Sequence, residues 1–152
     1  MTINVKSWVP LFGDFHCHSV ILNKYGHIID KQWNWLQSQN SYINLDEYII
    51  MPDHVHGIIE ITHDWIQTYR KQNQVRTSRD LSIPNNKRTA QKIKSLSEII
   101  GAFKTTSSKF IHIAGFKSFQ WHRSFYDRII ESDEELENIR EYIRQNPDNY
   151  QK

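Results

Sequence analysis

The sequence contains one cysteine, Cys17, so no disulfide can form within a single chain. A reducing cytoplasm is compatible with this composition. The sequence also has no apolar run long enough to span a membrane, and its first residues lack the hydrophobic region of a secretory signal peptide. The net charge of +2 is too small to indicate nucleic-acid binding by itself, because the distribution of charge matters more than its sum. These absences predict a cytoplasmic protein and leave its function to local patterns.

Length and aromatic content predict one folded domain over residues 1–152. With 152 residues and a hydrophobic fraction of 38%, the chain is large enough to bury a substantial core. Five Trp, seven Tyr and seven Phe argue against a disordered chain. No internal repeat or low-complexity tract interrupts the sequence.

The most informative stretch is residues 48–61, where two apolar, β-branched runs flank a Pro-Asp turn. The second run opens with His54, Val55 and His56. Side chains alternate faces along a strand, so the two histidines point the same way while Val55 faces the core. Gly57 allows another backbone to approach closely. Two imidazoles on one face can converge on a divalent metal, and a buried strand makes this otherwise weak motif a candidate site.

A second histidine pair, His16 and His18, flanks Cys17 in a stretch that is either irregular or a small hairpin. Zinc binds these ligand types, but three adjacent residues cannot close a tetrahedral site, and the sequence has no second Cys-His cluster. A polar loop is therefore the favoured interpretation.

Apolar periodicity predicts helices over about 23–39 and 97–113, and a last helix that begins at Ser132 as N-cap. Tyr142 lies at the edge of the apolar stripe of this last helix, and Asn146 follows one turn later on the same side. Pro147 ends the helix. Tyr142 and Asn146 thus form a polar pair beside an apolar face, whereas Tyr150, beyond the proline, is predicted to lie in a frayed tail.

Basic residues concentrate in two regions. Segment 63–94 is rich in Lys and Arg, poor in apolar residues and predicted to be an exposed loop, for which a solvated linker and a phosphate-contacting arm are equally supported. Segment 118–130 is predicted to be a strand whose aromatic and basic side chains either stack on bases or belong to the core. The candidate DNA contacts are Arg76, Arg79, Lys87, Arg88, Lys104, Trp121, Arg123 and Arg128.

The predicted order is strand, helix, strand, strand, helix, strand, with one further helix. This order is typical of an α+β, ferredoxin-like (RRM-like) antiparallel sheet with two helices on one face and the first and third strands central. The predicted strands cover residues 2–8, 42–51, 54–61 and 118–130. If the last helix folds back over the open face, Tyr142 and Asn146 meet His54 and His56.

Four segments in this order resemble the one-tyrosine HUH transposases of 200/605-type insertion sequences, most closely their REP-associated tyrosine transposase branch. The segments are 45–59 (LDEYIIMPDHVHGII), 100–104 (IGAFK), 121–130 (WHRSFYDRII) and 139–147 (IREYIRQNP). The resemblance implies a metal-dependent enzyme that cleaves and rejoins single-stranded DNA at hairpin-type sites through a 5′-phosphotyrosine. It also implies that His54 and His56 are metal ligands, that Tyr142 is the nucleophile, and that the Asn146 amide assists the metal.

The cofactor and partners follow from this expectation. Imidazole nitrogens combined with phosphate and amide oxygens favour Mg²⁺ or Mn²⁺. The expected partner is single-stranded DNA with a REP-like or insertion-sequence hairpin, in a bacterial, nucleoid-associated protein without membrane contact. Monomer and homodimer both remain open, and in a homodimer Tyr142 could serve the partner's histidines.

Two other classes of function compete with a transposase. A catalytically decayed or non-catalytic single-stranded nucleic-acid-binding protein of RRM-like fold is the alternative that stays open. A zinc deaminase requires a cysteine pair that this sequence does not have.

Overall fold

The computed structural model describes residues 1–6, 9–62 and 94–150. These residues form a mixed α+β fold with five strands and three helices. The strands are β1 (Thr2–Asn4), β2 (Gly13–His16), β3 (Ser19–Leu22), β4 (Ile43–Ile50) and β5 (His54–Ile61), and the helices are α1 (Lys24–Gln39), α2 (Leu96–Ile113) and α3 (Asp133–Arg144). The three predicted helices and the β4–β5 hairpin are confirmed. The basic segment, with Arg76, Arg79, Lys87 and Arg88, lies outside the described residues.

The main sheet is antiparallel and has the order β1–β5–β4, so the histidine-bearing strand is central. In its register, Thr2 lies opposite His56 and Asn4 lies opposite His54. The first strand is shorter than predicted: β1 ends at Asn4, and residues 7 and 8 of the predicted strand are not among the described residues. The central position of β5 places the two histidines in the middle of the sheet.

The predicted strand over 118–130 is wrong as a continuous strand, because two isolated bridges are all that joins it to the β1 edge of the sheet among the described residues. Lys104 of α2 supplies the reason. Its Nζ donates to the carbonyl oxygens of His122, Arg123 and Ser124 at 2.9, 3.4 and 2.9 Å. Carbonyls that turn towards this ammonium cannot continue a hydrogen-bonded ladder along β1. The segment is therefore an interrupted sheet edge.

Helices α1 and α2 cover one face of the sheet and form the core with it. Trp33 of α1 packs edge-on against Phe103 of α2, with ring centroids 5.3 Å apart. A Cβ on Gly57 would lie 2.4 Å from Trp33 Cζ2, so the close approach at this glycine comes from an indole and not from another backbone. Val55 is also buried, which assigns the alternate side chains of β5 to the core and leaves His54 and His56 on the other face.

The stretch around Cys17 forms the small hairpin β2–β3, with Cys17 and His18 as its two-residue turn. Both turn residues have positive φ, 42° and 64°, as a type I′ hairpin turn requires. Ser19 Oγ closes the turn by donating to the carbonyl oxygen of His16 at 2.9 Å. The motif thus forms a hairpin turn, which is one of the two structures that the sequence allowed for this stretch.

No helix among the described residues is both long and apolar enough to cross a membrane.

Candidate active site

His54 and His56 converge on the sheet face that the two core helices leave open. Their ring centroids lie 4.5 Å apart, with the ring planes at 77° to each other. Both side chains are largely buried, with 12% of the His54 side chain and 8% of the His56 residue exposed. The prediction that the pair shares one face is confirmed.

Each histidine has a polar partner at its Nδ1 atom. His54 Nδ1 lies 2.6 Å from Asp53 Oδ1, and His56 Nδ1 lies 2.9 Å from Thr2 Oγ1. A carboxylate only accepts hydrogen bonds, so His54 carries its hydrogen on Nδ1, and the threonine hydroxyl can accept from His56 in the same way. The Nε2 lone pairs are then available to a cation, which is the arrangement that outer partners impose on metal-binding histidines.

Burial, and to a smaller extent the charge of the neighbouring His54, lowers the pKa of His56 to about 4. This imidazole is therefore neutral at pH 7. Only the neutral ring can coordinate a metal, so His56 needs no deprotonation before it binds one.

Tyr142 of α3 lies against the histidine pair of its own chain. Its ring centroid is 5.5 Å from that of His56, with the planes at 72°. The residue is 54% exposed, so the hydroxyl-bearing side chain is accessible to a large substrate such as a nucleic acid. The last helix thus folds back over the open face, which is the condition under which the sequence predicts this contact.

A bulge in β4 gives α3 its docking site. Leu45 pairs with Ile59 and Tyr48 with Gly57, so two residues of β4, Asp46 and Glu47, face one residue of β5. Both carboxylates bind arginines of α3. Arg140 donates to both oxygens of Asp46, at 2.9 and 2.6 Å, and Arg144 donates twice to Glu47, at 3.1 and 2.9 Å.

These four residues hold the tyrosine helix on the sheet, and the interpretation of the sequence did not include them. The i, i+4 spacing of Arg140 and Arg144 and the adjacent carboxylates were visible signals, but nothing local joins residues 94 positions apart. The hydrogen bond from Arg140 lowers the pKa of Asp46. The Arg140–Asp46 contact is a two-bonded pair, the ion-pair geometry with the greatest directional strength.

We expect Asp46→Asn to lower the melting temperature by about 2–4 °C, since it weakens a partly exposed but geometrically ideal ion pair. Because folding lowers the pKa of Asp46, the pair stabilises the protein fully above the ordinary carboxyl pKa of about 4, and this stabilisation disappears as the pH falls through the folded-state value. Thermal unfolding should therefore separate native protein and variant at pH 7 and bring them together once the pH falls below the folded-state pKa of Asp46.

Glu134→Gln, on the exposed first turn of the same helix, is the matched control and should show a smaller effect at pH 7. An Asp46→Asn variant as stable as the native protein at pH 7 would contradict the docking role.

Asn146 follows the end of α3 and is buried, with 7% of the residue exposed. No hydrogen bond of its side-chain amide occurs among the described residues. Along the chain it lies between Tyr142, which contacts the His56 ring, and Tyr150, which lies near the His54 ring. Its amide thus has no competing protein partner in the part of the chain that the structure describes.

Asn4 is a site residue that the interpretation of the sequence missed. It lies opposite His54 in the sheet register and, as an alternate residue of β1, shares a face with Thr2. The residue is 3% exposed, and its Oδ1 atom is buried without a hydrogen-bond partner. An unpaired buried carbonyl oxygen costs about 1–3 kcal/mol, which a cation or its bound water would offset.

This donor set fits a hard or borderline divalent cation. In the described ranges, no group of three or more His, Cys, Asp or Glu side chains could hold a metal ion. A cation here would therefore rely on the imidazoles of His54 and His56, neutral amide oxygens and ligands from the substrate. Such a mixed nitrogen and oxygen set suits Mn²⁺ or Mg²⁺ better than a structural zinc.

Tyr150 is not in a frayed tail, so that prediction is wrong. Its ring lies 5.9 Å from the Phe15 ring and 6.4 Å from the His54 ring. Burial and the Asp53 carboxylate raise its pKa. The preceding turn is held by a 2.7 Å contact between His18 Nδ1 and Asp148 Oδ1. Packing on a hairpin that is distant in sequence orders this segment.

Two of the predicted DNA contacts have structural roles in the fold. Trp121 is buried, and its Nε1 donates to Ser107 Oγ at 2.9 Å, which agrees with the core alternative. Lys104 supports the interrupted sheet edge described above. Arg123 and Arg128 are exposed, and Arg128 forms an ion pair with Glu135. Only these two of the described candidates present accessible guanidinium groups.

No protein-family model matches this chain. An uncharacterized protein of Haemophilus influenzae (strain KW20 / Rd) is 31% identical over 147 residues, in an alignment that covers 97% of this chain and 78% of the Haemophilus protein. The chain belongs to the same family as this Haemophilus protein.

Proposed function

We propose that this protein is a metal-dependent tyrosine transposase that cleaves and rejoins single-stranded DNA at hairpin-type sites. The observation that carries the proposal is the contact of Tyr142 with a histidine pair whose two Nδ1 atoms already have partners. The tyrosine proposed as nucleophile and the two imidazoles proposed as metal ligands thus share one face of the sheet. The resemblance to one-tyrosine HUH transposases supports the same assignment of roles.

The proposal includes a ferredoxin-like fold. If the edge segment that bridges Thr2 and Val5 counts as a fourth strand, the sheet order becomes edge–β1–β5–β4. This is the strand order of a ferredoxin-like sheet, with the first and third strands central and the connecting helices on one face. The open face of such a sheet carries the candidate site.

His54 and His56 would hold the cation, with the Asn146 amide as an assisting ligand. When bound, Mg²⁺ or Mn²⁺ would polarise the scissile phosphate and offset its negative charge. The Tyr142 hydroxyl attacks phosphorus as the nucleophile and releases its proton to solvent.

The covalent step exchanges protons with solvent and needs no further reactant. A bond forms between the Tyr142 oxygen and phosphorus, and the bond from phosphorus to the 3′ oxygen breaks. The 3′ oxygen takes up a proton from solvent, so a 5′-phosphotyrosine and a free 3′-OH result. The new phosphodiester conserves the energy of the old one. Attack by another 3′-OH therefore rejoins DNA without ATP and regenerates the tyrosine.

A non-catalytic single-stranded nucleic-acid-binding protein is the second candidate. Tyr126 supports it, because this residue is 65% exposed and lies opposite Thr2 on the edge of the sheet. An exposed aromatic ring beside an open sheet face can stack on a base without any chemistry.

The proposal is tested with labelled single-stranded oligonucleotides whose sequences come from hairpins that flank the gene of this protein. With Mn²⁺ or Mg²⁺, we expect the native protein to form an adduct that survives denaturing electrophoresis and does not form in the presence of EDTA. DNA binding without an adduct across all hairpins would favour the binding protein. Absence of any DNA binding would contradict both candidates.

A further inference from the structure

A cleft of about 450 Å³ lies between the β2–β3 hairpin and the C-terminal segment. Its lining consists of Gly13, Asp14, Phe15, His16, Pro52 and Tyr150. The cleft adjoins the candidate active site, because Pro52 directly precedes Asp53 and the Tyr150 ring lies 6.4 Å from the His54 ring. Its volume is in the range of pockets that hold small ligands.

The two aromatic walls of this cleft suit a planar ligand. Phe15 is 37% exposed, and its ring is tilted by 48° from that of Tyr150. Because the rings are tilted and not stacked, they do not cover each other's faces. A flat heterocycle can therefore lie against one of them.

Several contacts fix the walls of the cleft before any ligand binds. The backbone N–H groups of Leu11 and Phe12 donate to the Pro52 carbonyl at 2.6 and 2.9 Å. At the other end, His18 contacts Asp148. A cleft held on both sides requires little ordering on binding, which favours affinity.

We propose that this cleft binds an unpaired nucleobase adjacent to the scissile phosphate. This inference rests on the proposed function, since the same strand would place its phosphate at His54 and His56. Phe15 and Tyr150 supply the stacking surface. The cleft thereby contributes to the choice of the cleavage position.

The test measures binding and not cleavage. Tyr142→Phe protein, which cannot cut its substrate, is titrated with hairpin oligonucleotides in which each unpaired flanking position in turn lacks its base. We expect one position at which loss of the base weakens binding about 5- to 150-fold, the range of one base–aromatic stack. Introducing Phe15→Ala in the same background should remove most of this difference.

Phe110→Ala is the matched control, because Phe110 is a similarly exposed phenylalanine on α2 and does not line the cleft. It should leave the dependence on that base intact.

The cleft assignment would be overturned if removal of a base weakened binding at no particular position, or if it weakened binding equally in the Phe15→Ala variant. This holds even if the native protein forms its covalent adduct. If the native protein binds no single-stranded DNA, the proposed function and the inference both fail. Failure of the cleft assignment alone is thus distinguished by an adduct that still forms.

Discussion

Replacing Tyr142 with phenylalanine is expected to eliminate the covalent protein–DNA adduct while DNA binding and the melting temperature stay nearly unchanged. The substitution removes only the hydroxyl, and the ring can keep its 5.5 Å contact with His56. Because the side chain is half exposed, no buried hydrogen bond is lost with the oxygen. Denaturing electrophoresis with labelled DNA measures the adduct, and fluorescence anisotropy measures binding.

Tyr150→Phe is the matched control, because Tyr150 also lies near the histidine pair. Its hydroxyl is partly buried and close to Asp53, whose carboxylate contributes to its raised pKa, so it is less suited to attack a phosphate in solvent. We expect this variant to keep the adduct. Persistence of the adduct in the Tyr142→Phe variant, with peptide mapping to Tyr126 or Tyr150, would overturn the assignment of the nucleophile.

The second large effect concerns the metal. Replacing both His54 and His56 with alanine is expected to abolish saturable Mn²⁺ binding and metal-dependent cleavage, because the two imidazoles are the only nitrogen ligands proposed for the cation. Isothermal calorimetry measures the affinity, and circular dichroism checks that the fold survives. Asp53→Asn should act more mildly, with a loss of about 10- to 100-fold in affinity, since it removes only the partner of His54 Nδ1.

His16→Ala provides the control for this experiment. His16 is exposed in the β2–β3 hairpin, where the turn at Cys17 and His18 accounts for the motif. Its loss should leave Mn²⁺ affinity unchanged. Unchanged affinity in the His54/His56 double variant, or a large loss in His16→Ala, would move the metal site away from β5.

Tyr142 contacts His56 of its own chain, which bears on the choice between cis and trans action. Mixing the Tyr142→Phe variant with the His54/His56 double variant should therefore not restore the adduct. Restoration would show that the tyrosine of one chain serves the histidines of another.

The sequence by itself determined the local elements and the chemical groups of the site. Helical periodicity and the cap at Ser132 are local properties, and the structure has this cap and all three helices close to where they were predicted. The two-residue alternation along β5 was enough to place His54 and His56 on one face, because the period of a strand does not depend on its neighbours.

Only the tertiary structure decided which of these groups meet. The contact of Tyr142 with His56 depends on a bulge in β4 and on ion pairs between residues more than 90 positions apart, such as Arg140 with Asp46. Tyr150 is ordered by packing on Phe15. The segment after Gln120 does not form a continuous strand, because its carbonyl groups bind the side chain of Lys104. Each outcome follows from non-local contacts, whose energies override local propensity and leave no periodic signal in the sequence.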